Sequence, residues 1–360
     1  MQRCDFNRIA LLNFGGIGDE ILFSPVITAV KSIYPQANMT LILEKRSQAI
    51  QELIPQIDET IGLDLTELPR WQVFVQLLSF LKNGQFDAVI SSGSTPFIPV
   101  LLWLSQIPIR VGFDTGRISR FFLTHPAPLN RKRYAGEMYF ALAQAFLCDQ
   151  ENTSAIPHLT LSASSKDFAR KLLYSVESKM PRQRILIHPG VSRMSVQKNI
   201  LKAWPIDYWA DLLHQLPIRY PEANLYLLGG PDDADVIADL EAIHLGMAPD
   251  IRQRVINLYG QTESLLDLAA IIDQSDLLIS VDSAPMHLAI GLETAVVALF
   301  SPTDEVKLLP QSANAVACVR DDLPCRPCLW DVRKTSCETP LCLDIPVALV
   351  MKQVESLLKP

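Results

Sequence analysis

Arg8-Ile-Ala-Leu-Leu-Asn-Phe14 runs directly into Gly15-Gly16-Ile17-Gly18-Asp19-Glu20. The first stretch is an apolar run of strand length. The second is a glycine loop that opens a helix over residues 20–33, closed by Tyr34-Pro35, since proline cannot continue a helix and pushes the residue before it to extended backbone. Strand, glycine turn and helix together make the first half of a βαβ unit. Working outward, residues 39–43, 86–91 and 110–113 read as further strands, with helical patterns near 48–54, 71–81 and 133–146 between them. The pattern restarts with a strand at 184–188. It continues with strands at 224–228, 255–258, 276–281 and 294–300, and helices at 205–216, 233–243, 263–272 and 347–358. The fold class is therefore α/β, with two halves that each carry a parallel sheet. The division between them is expected between residues 165 and 181.

A length of 360 residues fits two domains of roughly 150 residues each. Hydrophobic residues at 49% and charged residues at 20% exclude a disordered, collagen-like or coiled-coil chain. Lys plus Arg is 32 against 39 Asp plus Glu, a net charge of −7. That sign is opposite to the one a nucleic-acid coat requires, so no nucleic-acid partner is expected. The opening apolar run is too short for a secretory signal. The longest uncharged apolar run, 96–109, is interrupted by Pro99 and Pro108 and falls short of a spanning helix. The expected compartment is the cytosol, with room for a contact at a membrane surface. Seven cysteines are an odd number, and in a reducing compartment they argue against a disulfide framework.

In open parallel sheets, ligands bind beyond the C-terminal ends of the strands. The loops there are the candidates. In Asn13 to Glu20 the glycines let a ligand approach the backbone, and the helix start favours an anion. Asp19 reads as a helix cap or as a base, and the helix dipole favours its ionised form. A dinucleotide fingerprint beginning at Gly16 lacks its third glycine, where Ile21 stands, although Glu44 occupies a ribose-binding position. In the loop from His188-Pro189-Gly190 to Lys202-Ala203-Trp204-Pro205, Ser192, Arg193, Ser195, Lys198 and Lys202 suit a phosphate or a solvated surface. Gly229-Gly230-Pro231-Asp232-Asp233 places acids for ribose hydroxyls or for a cap. Asp282-Ser283-Ala284-Pro285-Met286-His287 could cradle a diphosphate, or cap a helix and bury its histidine. Ser301-Pro302-Thr303 follows another strand. Cys325, Cys328, Cys337 and Cys342, spaced x2, x8 and x4, admit a structural zinc site, a redox pair or simple burial. Arg117, Arg120, Arg131, Lys132 and Arg133 form a local basic excess that could meet phosphates or acidic sugars, or only solvent. No Gly-x-Ser-x-Gly elbow, Walker lysine loop or His-Glu-x-x-His helix occurs.

In order and spacing, these stretches resemble glycosyltransferase family 9, the heptosyltransferases of lipopolysaccharide core synthesis. The carriers are Gly15-Gly16-Ile-Gly18-Asp19-Glu20, His188-Pro-Gly190, Lys202-x-Trp204-Pro205, Leu228-Gly-Gly-Pro231, Asp282-Ser-Ala-Pro-Met-His287, Phe300-Ser-Pro-Thr303 and the cysteine-rich tail. The resemblance implies a GT-B fold, two Rossmann-like domains whose parallel sheets face a central cleft. Residues 1–172 would bind the acceptor, 173–345 the nucleotide sugar, and a helix in 346–360 would cross back onto the first domain. It implies an inverting transfer from a nucleotide sugar, typically ADP-heptose, to a glycolipid or oligosaccharide, by a cytoplasmic enzyme at the inner face of the cell membrane. No cofactor or catalytic metal is required. Carried over, Asp19 is the general base. Ser192, Lys202, Asp232, Asp282, Ser283, Ala284, Met286, His287 and Thr303 serve the donor, and Gly16, Gly18, Arg117, Arg120 and Arg133 the acceptor. Ala284 and Ser301 stand where the family usually has glycine, and the loop between Gly190 and Lys202 is longer than its pattern. Two other readings use the same loops: an NAD-dependent oxidoreductase or sugar-nucleotide epimerase, and a non-catalytic sugar-nucleotide binder.

Overall fold

The computed structural model describes residues 6–65, 68–147, 154–177, 180–329, 337 and 339–359. It divides into two compact units between Thr160 and Leu161. The first unit runs β1 (Arg8–Leu12), α1 (Ile17–Ile33), β2 (Asn38–Glu44), a 3-10 stretch (Lys45–Leu53), β3 (Glu59–Leu63), α2 (Arg70–Asn83) and β4 (Ala88–Ser91). It closes with α3 (Phe97–Leu104), β5 (Ile109–Asp114), α4 (Arg117–Phe122), β6 (His125–Pro128) and α5 (Ala135–Leu147). Its six parallel strands lie in the order β3-β2-β1-β4-β5-β6. β1 is central, with Ile9 opposite Met39 on one side and Ala88 on the other. That is why its apolar run is unbroken: both faces are covered. Ala10 and Leu12 pack with Leu77 and Leu81 of α2 and with Ile98 and Leu101 of α3.

The second unit runs α6 (Ala163–Val176), β7 (Gln183–His188), α7 (Arg193–Gln197), α8 (Ile206–Arg219), β8 (Ala223–Leu227), α9 (Ala234–Leu245), α10 (Pro249–Arg252), β9 (Val255–Asn257) and α11 (Leu265–Asp273). It continues with β10 (Leu277–Val281), α12 (Ala284–Gly291), β11 (Ala295–Leu299), α13 (Glu305–Leu308), β12 (Ala315–Cys318) and α14 (Val347–Leu357). The order is β12-β11-β10-β7-β8-β9. Counted from its own first strand, this is the same order as in the first unit. Each unit is a Rossmann-like sheet, and the strand order reverses beside β1 in one and beside β7 in the other.

Several expectations are corrected. β3, β6 and β12 are strands that the sequence pattern does not announce. All three are edge strands, paired on one side only. β6 reads His-Pro-Ala-Pro, and an edge tolerates prolines that a central ladder would not. A division at 172/173 would cut α6. The helix belongs whole to the second unit, where it packs on α11 and Lys166 bonds Asp273 at 3.2 Å. The apolar face of the C-terminal helix is used within the second unit. Val347, Val350, Val354 and Leu358 are buried in the second unit's core with Ile185, Leu212 and Leu216. The Trp204 indole donates to the Ile345 carbonyl at 3.0 Å, fixing the entry to α14. The run 96–109 is split: Ile98, Leu101 and Leu102 are core, while Phe97 and Trp103 are exposed.

Candidate active site

In the first unit the polar loops follow β1 and β4, at the reversal of strand order, where such sheets place their ligands. Asp19 is the third residue of α1, and its carboxylate accepts the Gly16 N–H at 2.9 Å. It is not the N-cap of the plainer reading, which is Gly16, but the capping-box acid that reaches back to it, and its carboxylate also accepts the Tyr139 hydroxyl from α5. Asn13 holds the loop from behind. Its amide donates to the Asp19 carbonyl at 3.3 Å, and its own oxygen accepts from Ser92 after β4. Gly15 leaves room for this arrangement: a Cβ there would lie 2.4 Å from the Asp19 Cβ. Gly16 is the N-cap and Gly18 lies in the first turn.

Glu20, next along the helix, is fully buried; the Asn13 amide and the Gly15 backbone lie near its carboxyl, but neither oxygen has a partner in close hydrogen-bonding geometry. Burial drives its pKa well up. The Asn13 amide offsets part of this, and the charge of Asp19 adds to it. Tyr139 is pushed upward too, by burial first and then by Asp19 and Glu20. Tyr139 therefore keeps its proton and can donate to Asp19. Glu44 is engaged by Arg46, with both guanidinium contacts at 2.9 Å, so it is not free to receive a ribose as the dinucleotide reading required.

In the second unit the loops after β7 and β10 occupy the corresponding reversal. Lys202 lies 2.7 Å from the Asp282 carboxylate and 3.3 Å from its carbonyl, and both side chains are largely buried. Burial alone would raise the Asp282 pKa. The Lys202 ammonium first, then the neighbouring His287 ring and the Thr303 hydroxyl, outweigh burial and hold it below the ordinary value. His287 is lowered to about 4, by burial first, partly opposed by Asp282 and reinforced by Lys202. It is a neutral imidazole at physiological pH, a donor without a charge. Ser283 is the N-cap of α12 but makes no side-chain cap. Its hydroxyl instead lies 3.2 Å from Ser280 Oγ and 3.5 Å from His188 Nδ1. No side chain of Asp282 or Ser283 caps α12, but the Ser283 carbonyl accepts the Met286 N–H at 3.2 Å, which leaves the Ala284 amide at the helix start. Ala284 opens that helix, and Met286 is buried within it.

The remaining predicted donor residues spread along the same edge. Ser192 caps α7 by accepting the Ser195 N–H. Asp232 accepts the Arg193 N–H at 2.8 Å and is partly exposed. The buried acid of that turn is Asp233, which accepts the Gly230 N–H at 2.8 Å and stands 3.5 Å from His188 Nε2. A Cβ at Gly190 would strike Asp233 at 1.9 Å, so glycine is required for this packing. Thr303 sits in a loop whose carbonyls, Ser301 and Thr303, accept from Arg326 at 2.5 and 3.1 Å. Among the acceptor candidates, Arg120 pairs with Asp114 at 2.7 Å, and Arg117 and Arg133 are exposed. Arg131 reaches Ser94, beyond β4, at 3.2 Å. Cys325, Cys328, Cys337 and Cys342 line one cavity of about 230 Å³ with Leu201, Pro302 and Leu341. Among the described residues no group of three or more His, Cys, Asp or Glu is placed to hold a metal. Tyr139, Arg46 and Arg326 are the site residues that sequence reasoning passed over. Arg46 follows a strand end and was open to the same rule, whereas Tyr139 and Arg326 reach their loops from far along the chain.

Sugar transfer from a diphosphate needs a carboxylate that can take a proton, and elsewhere a cation and amides for the leaving group. This chain carries such groups at the two reversals of a GT-B glycosyltransferase. It belongs to glycosyltransferase family 9 (heptosyltransferase), whose model matches residues 74–338. Lipopolysaccharide heptosyltransferase 3 of Escherichia coli is 25% identical over 311 residues, 83% of this chain and 85% of that one. A family 9 glycosyltransferase from Veillonella parvula superposes with a TM-score of 0.75 at 24% identity, over 98% of this chain and 97% of that one. The E. coli heptosyltransferase WaaC with ADP-2-deoxy-2-fluoro heptose gives 0.66 at 16% identity, over 97% and 99%.

Proposed function

We propose that this transferase moves heptose from ADP-heptose to a lipopolysaccharide-core or related saccharide, with inversion, and with Asp19 as general base. The observation that carries the reading is the fixed Asp19 carboxylate, oriented by the Gly16 amide and the Tyr139 hydroxyl. The kinship with heptosyltransferases, one of them solved with an ADP-heptose analogue, supports the sugar and the nucleotide.

In this reading Asp19 takes the proton of an acceptor hydroxyl as its oxygen attacks the anomeric carbon. The carbon–oxygen bond to the diphosphate breaks on the opposite face, the geometry of inversion. A nucleoside diphosphate leaves readily and needs charge stabilisation more than a proton. Lys202 supplies the charge, with Asp282 holding it in place, while His287, Ser283 and the amide at Ala284 supply neutral donors and Met286 lines the turn. Asp232 and Ser192 meet the nucleoside side, and Thr303 closes the pocket behind Asp282. On the acceptor side Gly16 and Gly18 leave room for a sugar ring. Arg46 and Arg131 read its anions, with Arg117, Arg120 and Arg133 as an outer rim.

The test is mass spectrometry of products from a panel of nucleotide sugars with deacylated core glycolipids, with the anomeric configuration read by NMR. ADP-heptose is expected to be consumed and the new linkage inverted. Transfer of another sugar in its place would overturn the donor assignment, and retention would overturn the mechanism.

A further inference from the structure

His188 and Asp233 have no task in the reaction described above, yet both are buried behind the loop that opens α12. His188 ends β7, and its Nε2 stands 3.5 Å from the Asp233 carboxylate. Its other nitrogen, Nδ1, stands 3.5 Å from the Ser283 hydroxyl. Asp233, His188 and Ser283 thus form a chain from a buried carboxylate to a half-buried hydroxyl. The backbone is built around it: the Gly230 N–H anchors Asp233 at 2.8 Å, and the carboxylate fits only because Gly190 has no side chain.

Nε2 faces a carboxylate and therefore carries a hydrogen. Nδ1 then carries one only when the ring is charged, and the two states give Ser283 opposite roles. Beside a neutral ring, the single Ser283 proton has inward acceptors: Nδ1, the Val281 carbonyl at 3.2 Å and Ser280 Oγ at 3.2 Å. Ser280 gives no hydrogen back, since its own goes to the Val281 carbonyl at 2.8 Å. Ser283 then shows lone pairs to an incoming phosphate. Beside an imidazolium, Nδ1–H donates to Ser283 Oγ, and the hydroxyl proton is freed for the ligand. The other charged groups of these loops are spoken for: Asp282 pairs with Lys202 at 2.7 Å and Asp232 with Arg193 at 3.6 Å, while His287 is neutral. Asp233 is the carboxylate that faces His188, and a diphosphate at Ser283 adds negative charge on the other side, which favours the charged ring.

We propose, resting on the nucleotide-sugar reading of this edge, that binding of the diphosphate draws a proton from solvent onto His188 Nδ1, and that the imidazolium, held by Asp233, turns the Ser283 hydroxyl onto the phosphate. His188 and Asp233 are positioning residues for the leaving group. The full chain is titrated calorimetrically with ADP-heptose, without acceptor, near neutral pH in buffers of different ionisation enthalpy. The diester diphosphate has no group that titrates there, so the dependence of the observed enthalpy on the buffer counts protons taken up by the protein. Uptake approaching about one proton is expected, with affinity falling as pH rises. In His188→Gln uptake should vanish and binding should weaken about tenfold. Asp233→Asn, which keeps the shape of the turn, should also reduce uptake and serves if the first variant fails to fold. Binding without proton uptake, or undiminished uptake in either variant, would overturn the proposal and leave the nucleotide-sugar site standing. Failure of ADP-heptose to bind at all would overturn that site and this step with it.

Discussion

The two units share a strand order and place their polar loops at the same reversal, yet they treat a buried acid in opposite ways. Glu20 in the first unit has burial and a neighbouring carboxylate against it and no cation for it, so its pKa goes up. Asp282 in the second is buried as deeply, but Lys202, His287 and Thr303 together outweigh the desolvation, and its pKa goes down. The scaffold decides where a side chain stands, and the partners brought by distant segments decide its charge. In the proposed reaction the first half receives a proton and the second offsets a developing anion.

The largest expected effect breaks this asymmetry on the first side. Asp19→Asn keeps the cap's shape and removes the base, and turnover should fall about 10²–10⁴-fold while the melting temperature holds. Near-normal turnover in a folded variant would remove the base from the mechanism. On the second side, Lys202→Met strands Asp282 in a poorly solvated place. Urea unfolding should register a loss of about 3–5 kcal/mol, and adding Asp282→Leu should restore part of it. Equal losses in the single and double variants would mean that the pair is not the neutralising device described.

Gly15→Ala sharpens the comparison at the backbone. Its methyl would meet Asp19 at 2.4 Å, and overpacking of this kind costs about 1–3 kcal/mol. The displaced carboxylate should lower kcat with KM little changed, in single-turnover and steady-state rates. The smallest effect carries a sign. The folded state holds the Glu20 proton more tightly than the unfolded chain does. Its stabilising contribution is therefore complete below the ordinary glutamate range and is lost as pH rises through the raised folded value, at up to about 1.4 kcal/mol per pH unit. Glu20→Gln should flatten that decline in a series of denaturant midpoints against pH. An unchanged slope would mean that Glu20 is ionised in the folded protein.

Much of the fold was legible because central parallel strands must be apolar on both faces. Arg8–Leu12 and Leu277–Val281 announce themselves in this way. Three of the four edge strands do not: one-sided pairing lets Glu59–Leu63 mix polar and apolar residues and His125–Pro128 carry two prolines. The site was legible where a loop holds its own chemistry, as at Asp19 and Asp282. It was not legible where the partner comes from far along the chain. Tyr139 looks like one more aromatic on an amphipathic helix, and only the packing of α5 along α1 brings its hydroxyl to Asp19. Arg326 lies among cysteines that drew attention to themselves, and its bonds to the Ser301 and Thr303 carbonyls follow no local signal.

The burial of α14 also sets an order of events during synthesis. The first unit is closed by residue 160 and can fold while the rest of the polypeptide is still being made. The second cannot seal its interior until Val354 and Leu358 have emerged from the ribosome. The half assigned to the nucleotide sugar is thus the last to become competent, whichever half meets its ligand first.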